Sequence, residues 1–166
     1  GVPGLFMKAH AADAGVLYII DSIGGTPESV TEDCTDSAGG WSYDAGTATL
    51  TLDGFQGEYI EANGDINIVL KGKNKITISA ESTEGIKSTG KVTIDDTISP
   101  VQDCLDIYCS DGTESVSMIY TGGFGADYAT YIVGGTVNLV EENTRRRYVT
   151  GISRWAYVEN DASLNI

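Results

Sequence analysis

The chain has few of the residues that metal and nucleophilic sites most often use. Its 166 residues include one histidine, His10, and three cysteines without a CxxC spacing. A structural zinc site needs four ligands and a serine or cysteine triad needs a histidine, so we expect neither. Cys104 and Cys109 could close a small disulfide loop or lie in strands as buried thiols, and Cys34 is left over.

Basic residues and long apolar runs are also scarce. No apolar run reaches the roughly 20 residues that span a bilayer, so we predict no membrane insertion. The net charge of −14, from 24 acidic and 10 basic residues, repels phosphate backbones, and we expect no nucleic-acid partner. The start of the chain lacks the basic and apolar regions of a signal peptide, which would therefore have been removed.

The chain does contain a repeat of short apolar segments joined at glycine turns. Three copies align without a gap, "IEANGDINI" from Ile60, "IKSTGKVTI" from Ile86 and "YIVGGTVNL" from Tyr131. Weaker copies begin at Tyr108 and Ile152, so the five starting positions are on average 23 residues apart. The glycines suit turns that need positive φ, and only three prolines interrupt the pattern.

A period of this length predicts a parallel β-helix. Three short strands with their turns need roughly 20–25 residues, about one coil of such a solenoid. Alternating apolar residues predict strands at 60–62, 66–70 and 75–79, with Ile60, Ile86 and Tyr131 in one inward file. We therefore predict an all-β, single-domain solenoid over residues 1–166. About five coils occupy 48–166, after an N-terminal strand and irregular cap over about 1–47.

Both ends of such a solenoid would expose strand edges that invite aggregation. Two segments could cover the first end, a helix candidate at 6–15 and a helix or loop at 26–34, where Thr26 could cap and Pro27 could begin the helix. The last segment, "ASLNI", alternates like a strand without a cap. We therefore expect either end-to-end self-association or additional domains.

The segments "LYIIDSIGG", "GGWSYDAGTATLTLDGF", "YIEANGDINIVLKGKNKI" and "GIKSTGKVTI" resemble the repeat regions of secreted or surface-attached β-helix proteins of gut bacteria. More distantly, they are similar to the carbohydrate-binding β-helix domains of cellulose-degrading clostridia. The resemblance covers residues 17–94 well and the remainder loosely. It implies a right-handed parallel β-helix, an extracellular or cell-surface location and contact with polysaccharide. It supplies no catalytic motif, so we predict that the chain is not an enzyme.

Aromatic residues are the main candidates for ligand binding, because exposed rings can stack on sugar rings. Trp41 and Tyr43 directly precede the first regular strand, and we interpret them as scaffold. The candidate ligand-binding residues lie later, outside the repeat or in its weakest copies: Phe124, Tyr128, Arg146, Tyr148, Arg154 and Trp155. In "NTRRRY", the arginines could bind a uronate or act in a lyase, or could pair in a solvated turn with Glu141 and Glu142.

The acidic residues leave the cofactor question open. Six carboxylates in the second half could hold Ca²⁺ or be solvated turn residues: Asp95, Asp96, Asp103, Asp106, Asp111 and Glu114. We predict no other cofactor. The sequence thus favours a non-catalytic extracellular or cell-surface module that binds carbohydrate or acts in adhesion. The alternatives are a small β-helix lyase or hydrolase acting on acidic glycan, and a structural stalk or spacer.

Overall fold

The computed structural model describes residues 16–142, 145–159 and 161–166. Within these ranges the chain forms strands, turns and one 3₁₀ helix at Ala126–Tyr128, without an α-helix. The all-β prediction is therefore confirmed. The helix predicted at 6–15 lies outside the described residues. No helix in the described part of the chain has the length and apolar character needed to cross a lipid bilayer.

Four strands precede the repeat and pair antiparallel: β1 (Leu17–Ile20), β2 (Glu28–Val30), β3 (Cys34–Asp36) and β4 (Trp41–Asp44). Fourteen further strands follow: β5 (Thr49–Asp53), β6 (Gln56–Gly57), β7 (Tyr59–Ala62), β8 (Ile66–Lys71), β9 (Lys73–Ile78), β10 (Glu84–Ser88), β11 (Val92–Asp96), β12 (Cys104–Cys109), β13 (Val116–Thr121), β14 (Thr130–Ile132), β15 (Thr136–Glu141), β16 (Val149–Ile152), β17 (Ala156–Val158) and β18 (Ser163–Asn165). The predicted strands at 60–62, 66–70 and 75–79 correspond to β7, β8 and β9.

The strands form three sheets. Sheet A has the order β2-β1-β7-β10-β13-β16, sheet B the order β3-β4-β5-β8-β11-β14-β17, and sheet C the order β6-β9-β12-β15-β18. From β5 onward the chain visits sheets B, C and A in a fixed cycle. Each of these strands pairs in parallel with the strand three places later, so successive passages of the chain lie side by side in all three sheets.

Inward side chains stack in files along this direction. In sheet A, Ile60, Ile86, Ile119 and Ile152 occupy paired positions, and the first three are fully buried. The inward files of sheet B and sheet C have the same apolar character: Leu50, Ile68, Ile94 and Ile132, and Ile76, Ile107 and Leu139. Burying each such side chain contributes about 1.5–3 kcal/mol, so these files form the core.

The prediction that Tyr131 belongs to the Ile60 file is wrong. Tyr131 lies in β14 of sheet B, pairs with Thr93 and is half-buried, whereas Ile119 continues the file of Ile60 and Ile86. The two matched segments cross different corners, because 60–68 runs from sheet A to sheet B and 131–139 from sheet B to sheet C. The repeat length also varies, with 26 residues from Ile60 to Ile86 and 33 from Ile86 to Ile119.

The helix or loop predicted at 26–34 is also wrong, because strands form there. Residues Glu28–Val30 pair with β1, and Cys34–Asp36 pair with β4. The Thr26–Pro27 pattern suits a helix start, but pairing with neighbouring strands overrides that local preference. Val30 is buried opposite Leu17, which a surface loop would not provide.

Trp41 and Tyr43 are scaffold residues, as predicted. They lie in β4, antiparallel to β5, where Trp41 is opposite Leu52 and Tyr43 is opposite Leu50. Both side chains are buried, and the Trp41 indole Nε1 donates a 2.8 Å hydrogen bond to Asp21 Oδ2. They therefore cover the first repeat strand of sheet B, as β1 covers β7 in sheet A.

All three cysteines are free thiols. Cys104 and Cys109 are the first and last residues of β12, so their Cα atoms are about 16 Å apart in the extended strand. A disulfide requires a Cα separation below about 7 Å. Of the two alternatives, thiols within a strand is the one that the structure supports.

The Asp103 carboxylate fastens the corner between sheets B and C. It is 1% exposed and accepts hydrogen bonds from the backbone N–H groups of Gly72 (2.8 Å) and Ile98 (2.6 Å), and from those of Thr97 and Ser99. Burial alone would raise its pKa, but these hydrogen bonds outweigh burial and lower the pKa to about 2. Asp103 is therefore an internal structural acceptor, neither a solvated turn residue nor a free calcium ligand.

We expect Asp103→Ala to lower the free energy of unfolding by about 3 kcal/mol or more, because several buried N–H donors lose a charged acceptor. In the unaltered protein, the folded-state pKa lies below the unfolded value near 4. The stabilisation by Asp103 is therefore complete above about pH 4 and lost as the pH falls toward 2. Urea unfolding between neutral and acidic pH, followed by circular dichroism, measures both effects.

The matched control is Asp53→Ala, which removes an exposed carboxylate 3.7 Å from Lys71 Nζ. Such a surface ion pair contributes at most about 1 kcal/mol. Equal losses of stability in the two variants would contradict the role given to Asp103.

Candidate functional site

The structure separates the six candidate ligand-binding residues into three places. Phe124, Tyr128, Arg154 and Trp155 lie in the two loops that connect sheet A to sheet B at β13–β14 and β16–β17. Tyr148 precedes β16, where the chain enters sheet A. Arg146 is buried. Only the first four can therefore act together.

These four residues form what we call the aromatic corner. The two loops lie side by side, because the Thr130 N–H donates a 2.9 Å hydrogen bond to the Trp155 carbonyl. The Arg154 guanidinium carbon lies 4.0 Å from the centroid of the Phe124 ring. This cation–π contact joins the two loops through their side chains and presents both a ring and N–H donors at the surface.

The rings of the aromatic corner face solvent. Phe124 is 73% exposed, Trp155 51% and Tyr128 39%. Single exposed apolar residues are ordinary on a protein surface, but several large rings on two adjacent loops are typical of an interaction surface. The predicted projection of Phe124 and Tyr128 agrees with this placement.

Two further tyrosines extend the aromatic corner onto the outer face of sheet B. Tyr131 and Tyr157 occupy paired positions in β14 and β17, and their rings stack with centroids 4.8 Å apart and planes 9° from parallel. Lys91 Nζ lies 5.6 Å from the Tyr131 centroid, and the Tyr131 hydroxyl donates a 2.9 Å hydrogen bond to the Ala126 carbonyl. The sequence reasoning missed this pair, although aligning "ATYIV" with "WAYVE" would have shown it.

Arg154 has an unusual backbone conformation. Its φ of 72° lies in the left-handed region, which costs a non-glycine residue about 1–3 kcal/mol. Gly64, at an earlier corner between sheets A and B, has a φ of 96°. The chain therefore keeps an arginine at a type of corner that glycine fills more easily, which suggests a use for the side chain beyond the turn.

Arg146 is a structural residue, which corrects its place among the ligand-binding candidates. It is 6% exposed, and its guanidinium donates hydrogen bonds to the backbone carbonyls of Ser79 (2.6 Å), Ser82 (2.9 Å), Ser110 (2.8 Å) and Glu114 (3.1 Å). These carbonyls belong to three successive passages of the chain between sheets C and A. The side chain thus ties the passages together.

The surroundings of Arg146 are arranged for its close approach. A Cβ atom at Gly112 would lie 2.8 Å from the Arg146 Cζ, so only glycine leaves room for the guanidinium. Beside it, the Arg145 side chain pairs with Asp111 at 3.0 Å, not with Glu141 or Glu142 as the turn interpretation proposed. The Arg147 guanidinium carbon lies 5.3 Å from the ring of Tyr148.

Other candidate carboxylates also accept hydrogen bonds within the chain. Asp96 accepts one from the Gly135 N–H at 2.8 Å, and Asp106 accepts one from the Asn138 amide at 2.7 Å. A different acidic group appears in the N-terminal region. The carboxylates of Asp21, Glu28 and Asp36 lie within 4.8 Å of one another, and burial followed by the other two charges raises the pKa of Glu28.

This acidic group was not among the candidate calcium residues, because its members come from three segments that pairing brings together. Asp21 already accepts the Trp41 indole N–H, and Asp36 accepts the Gly39 N–H. Calcium prefers six to eight oxygen ligands, so three carboxylates would supply only part of a coordination sphere.

Comparison of the chain with protein-family models, curated proteins and solved structures gave no significant match. The function must therefore be argued from the site.

We expect Arg146→Met to lower the free energy of unfolding by about 3 kcal/mol or more, because four buried carbonyls lose their donors. Arg146→Lys should also destabilise, since one ammonium lacks the guanidinium fork that reaches three passages of the chain. Urea midpoints measure both effects. The neighbouring exposed Arg147→Met is the control, and a comparable loss in that variant would be inconsistent with a special role for Arg146.

Proposed function

We propose that the three sheets wind as one right-handed parallel β-helix of about five coils, with the N-terminal antiparallel strands as its cap. The fixed cycle through sheets B, C and A and the in-register inward files support this. Parallel crossover connections are right-handed in nearly all proteins. Methyl contacts from Ile86 to both Ile60 and Ile119 in nuclear Overhauser spectra would support the coil, and their absence would contradict it.

We further propose that the protein is a non-catalytic module that binds carbohydrate through the aromatic corner. The observation that carries this proposal is the exposure of three large rings on two adjacent loops, with Arg154 in contact with one of them. Flat rings stack against the apolar faces of sugars, and a guanidinium donates hydrogen bonds to their hydroxyl oxygens. The corner offers both kinds of contact.

The shape of the aromatic corner suits a polymer. Its members come from adjacent passages of the chain, so the rings follow the direction in which strands stack. The stacked Tyr131 and Tyr157 continue this line on sheet B. Such an exposed strip can contact several residues of a polysaccharide in succession. An extracellular or cell-surface location is part of the same proposal, and it is supported by the resemblance of residues 17–94 to secreted β-helix proteins.

We expect Phe124→Ala and Trp155→Ala each to weaken polysaccharide binding about tenfold, since each removes a ring that contributes around 1 kcal/mol or more. Affinity electrophoresis in gels containing single polysaccharides measures the retardation. Tyr148→Ala is the matched control, because it removes an aromatic residue that is 62% exposed but lies at another corner. Equal retardation of all three variants would refute the role of the aromatic corner.

A second variant separates binding from folding. Arg154→Gly removes the cation above Phe124 but also relieves the left-handed backbone strain, so we expect weaker binding with little change in the unfolding midpoint. Release of unsaturated uronates or reducing ends from the polymer would instead support the lyase or hydrolase. Absence of binding to every polysaccharide, with end-to-end assembly, would favour the stalk.

A further inference from the structure

A second candidate site lies on the outer face of sheet A, away from the aromatic corner. A cavity of about 370 Å³ opens there between β1, β7 and β10 and the loop before β10. Its walls include two tyrosines, three glutamates and one lysine: Tyr18, Tyr59, Glu61, Glu81, Glu84 and Lys87. Tyr18, Glu61 and Lys87 occupy paired positions on three neighbouring strands, so sheet pairing itself brings them together.

The hydroxyl of Tyr18 indicates that something is missing from this cavity. Tyr18 is only 4% exposed, and its buried hydroxyl has no hydrogen-bond partner among the described residues. An unsatisfied buried hydroxyl costs about 1–3 kcal/mol, and proteins usually avoid one. The neighbouring Tyr59 is satisfied, because its hydroxyl donates to Glu61 Oε1. The two rings meet edge to face at 6.4 Å.

The cavity is negatively charged. Three glutamates face a single lysine, and Lys87 Nζ lies 3.9 Å from Glu84 Oε1. Burial and the nearby Glu61 carboxylate raise the pKa of both Tyr18 and Tyr59, so both phenols stay neutral. The surroundings therefore favour a cationic ligand that can also hydrogen-bond to a neutral hydroxyl.

The spacing of the carboxylates argues against a bare metal ion. In the described part of the chain, only Asp21, Glu28 and Asp36 form a group of three acidic ligands within 4.8 Å of one another. Glu61, Glu81 and Glu84 are farther apart than one ion could bridge. The cavity is also much larger than an ion requires. A larger molecule that carries its charge on one group and hydroxyls on others fits this arrangement better.

We propose that this cavity binds an amino sugar, a sugar ring that carries a protonated primary amine. The carboxylates of Glu61 and Glu84 bind the ammonium group, and the Tyr18 hydroxyl pairs with a sugar hydroxyl. The ring surfaces of Tyr18 and Tyr59 pack against the apolar part of the sugar. Lys87 competes with the ligand for Glu84. The site shares no residue with the aromatic corner, so it stands whether or not the corner binds polysaccharide.

Titration calorimetry of the whole chain with glucosamine, at a pH where the amine is protonated, tests the proposal. Glucose is the matched neutral ligand. We expect glucosamine to bind at least about tenfold more tightly than glucose, since only glucosamine forms charge-assisted hydrogen bonds. Equal affinity for the two sugars, or binding of neither, would overturn the proposal.

Three variants give effects of different sign. Glu84→Gln should weaken glucosamine binding about tenfold, because it removes a carboxylate from the ammonium site. Lys87→Met should strengthen binding, because it removes the competing cation. Tyr18→Phe should weaken binding about threefold, yet leave the unfolding midpoint unchanged or raised, since it removes an unsatisfied buried hydroxyl.

A variant outside the cavity controls for general charge effects. Asp53→Asn removes an exposed carboxylate of sheet B and should leave glucosamine affinity unchanged. Weakening by Asp53→Asn equal to that by Glu84→Gln would assign binding to overall charge and overturn the site. Weaker binding in Lys87→Met would do the same, because it would place Lys87 among the ligand contacts.

Discussion

Parallel pairing between each strand and the strand three places later is the interaction on which the rest of this structure depends. It satisfies backbone N–H and C=O groups along all three sheets and places like side chains in continuous inward files. Because the pairing fixes only the strands, the connecting loops can vary in length. The step from Ile60 to Ile86 is 26 residues, and that from Ile86 to Ile119 is 33. The added residues form the surfaces proposed as sites.

Pairing in the sheets leaves the backbone groups at the corners without ladder partners, and buried polar side chains satisfy many of them. Asp103 accepts from four backbone N–H groups between sheets B and C, and Arg146 donates to four carbonyls between sheets C and A. Asn74 joins the Phe55 N–H to neighbouring carbonyls in the same way. Part of the strong charge of the chain therefore serves its interior.

The sequence predicted the strands better than their assignment to sheets. Alternation places Ile66, Ile68 and Leu70 inward whatever surrounds them, so β8 could be predicted from local pattern. Corners are different, because an apolar segment, a glycine turn and a second apolar segment describe a corner between any two sheets. Tyr131 was therefore placed in the wrong file. Arg146 was misjudged for a related reason, since its carbonyl partners lie up to 67 residues away and leave no local signal.

The two proposed sites follow from the outward positions, which core packing does not constrain. At the aromatic corner the cations Arg154 and Lys91 approach the exposed rings of Phe124 and Tyr131, whereas the cavity on sheet A is lined mainly by carboxylates. A ligand attracted to one surface by charge is not attracted to the other. A polymer that carries both neutral and amino sugars could contact both, one along the exposed strip and one in the enclosed cavity. Because the scaffold beneath both sites is the same stack of strands, either site can lose its ligand contacts without loss of the fold.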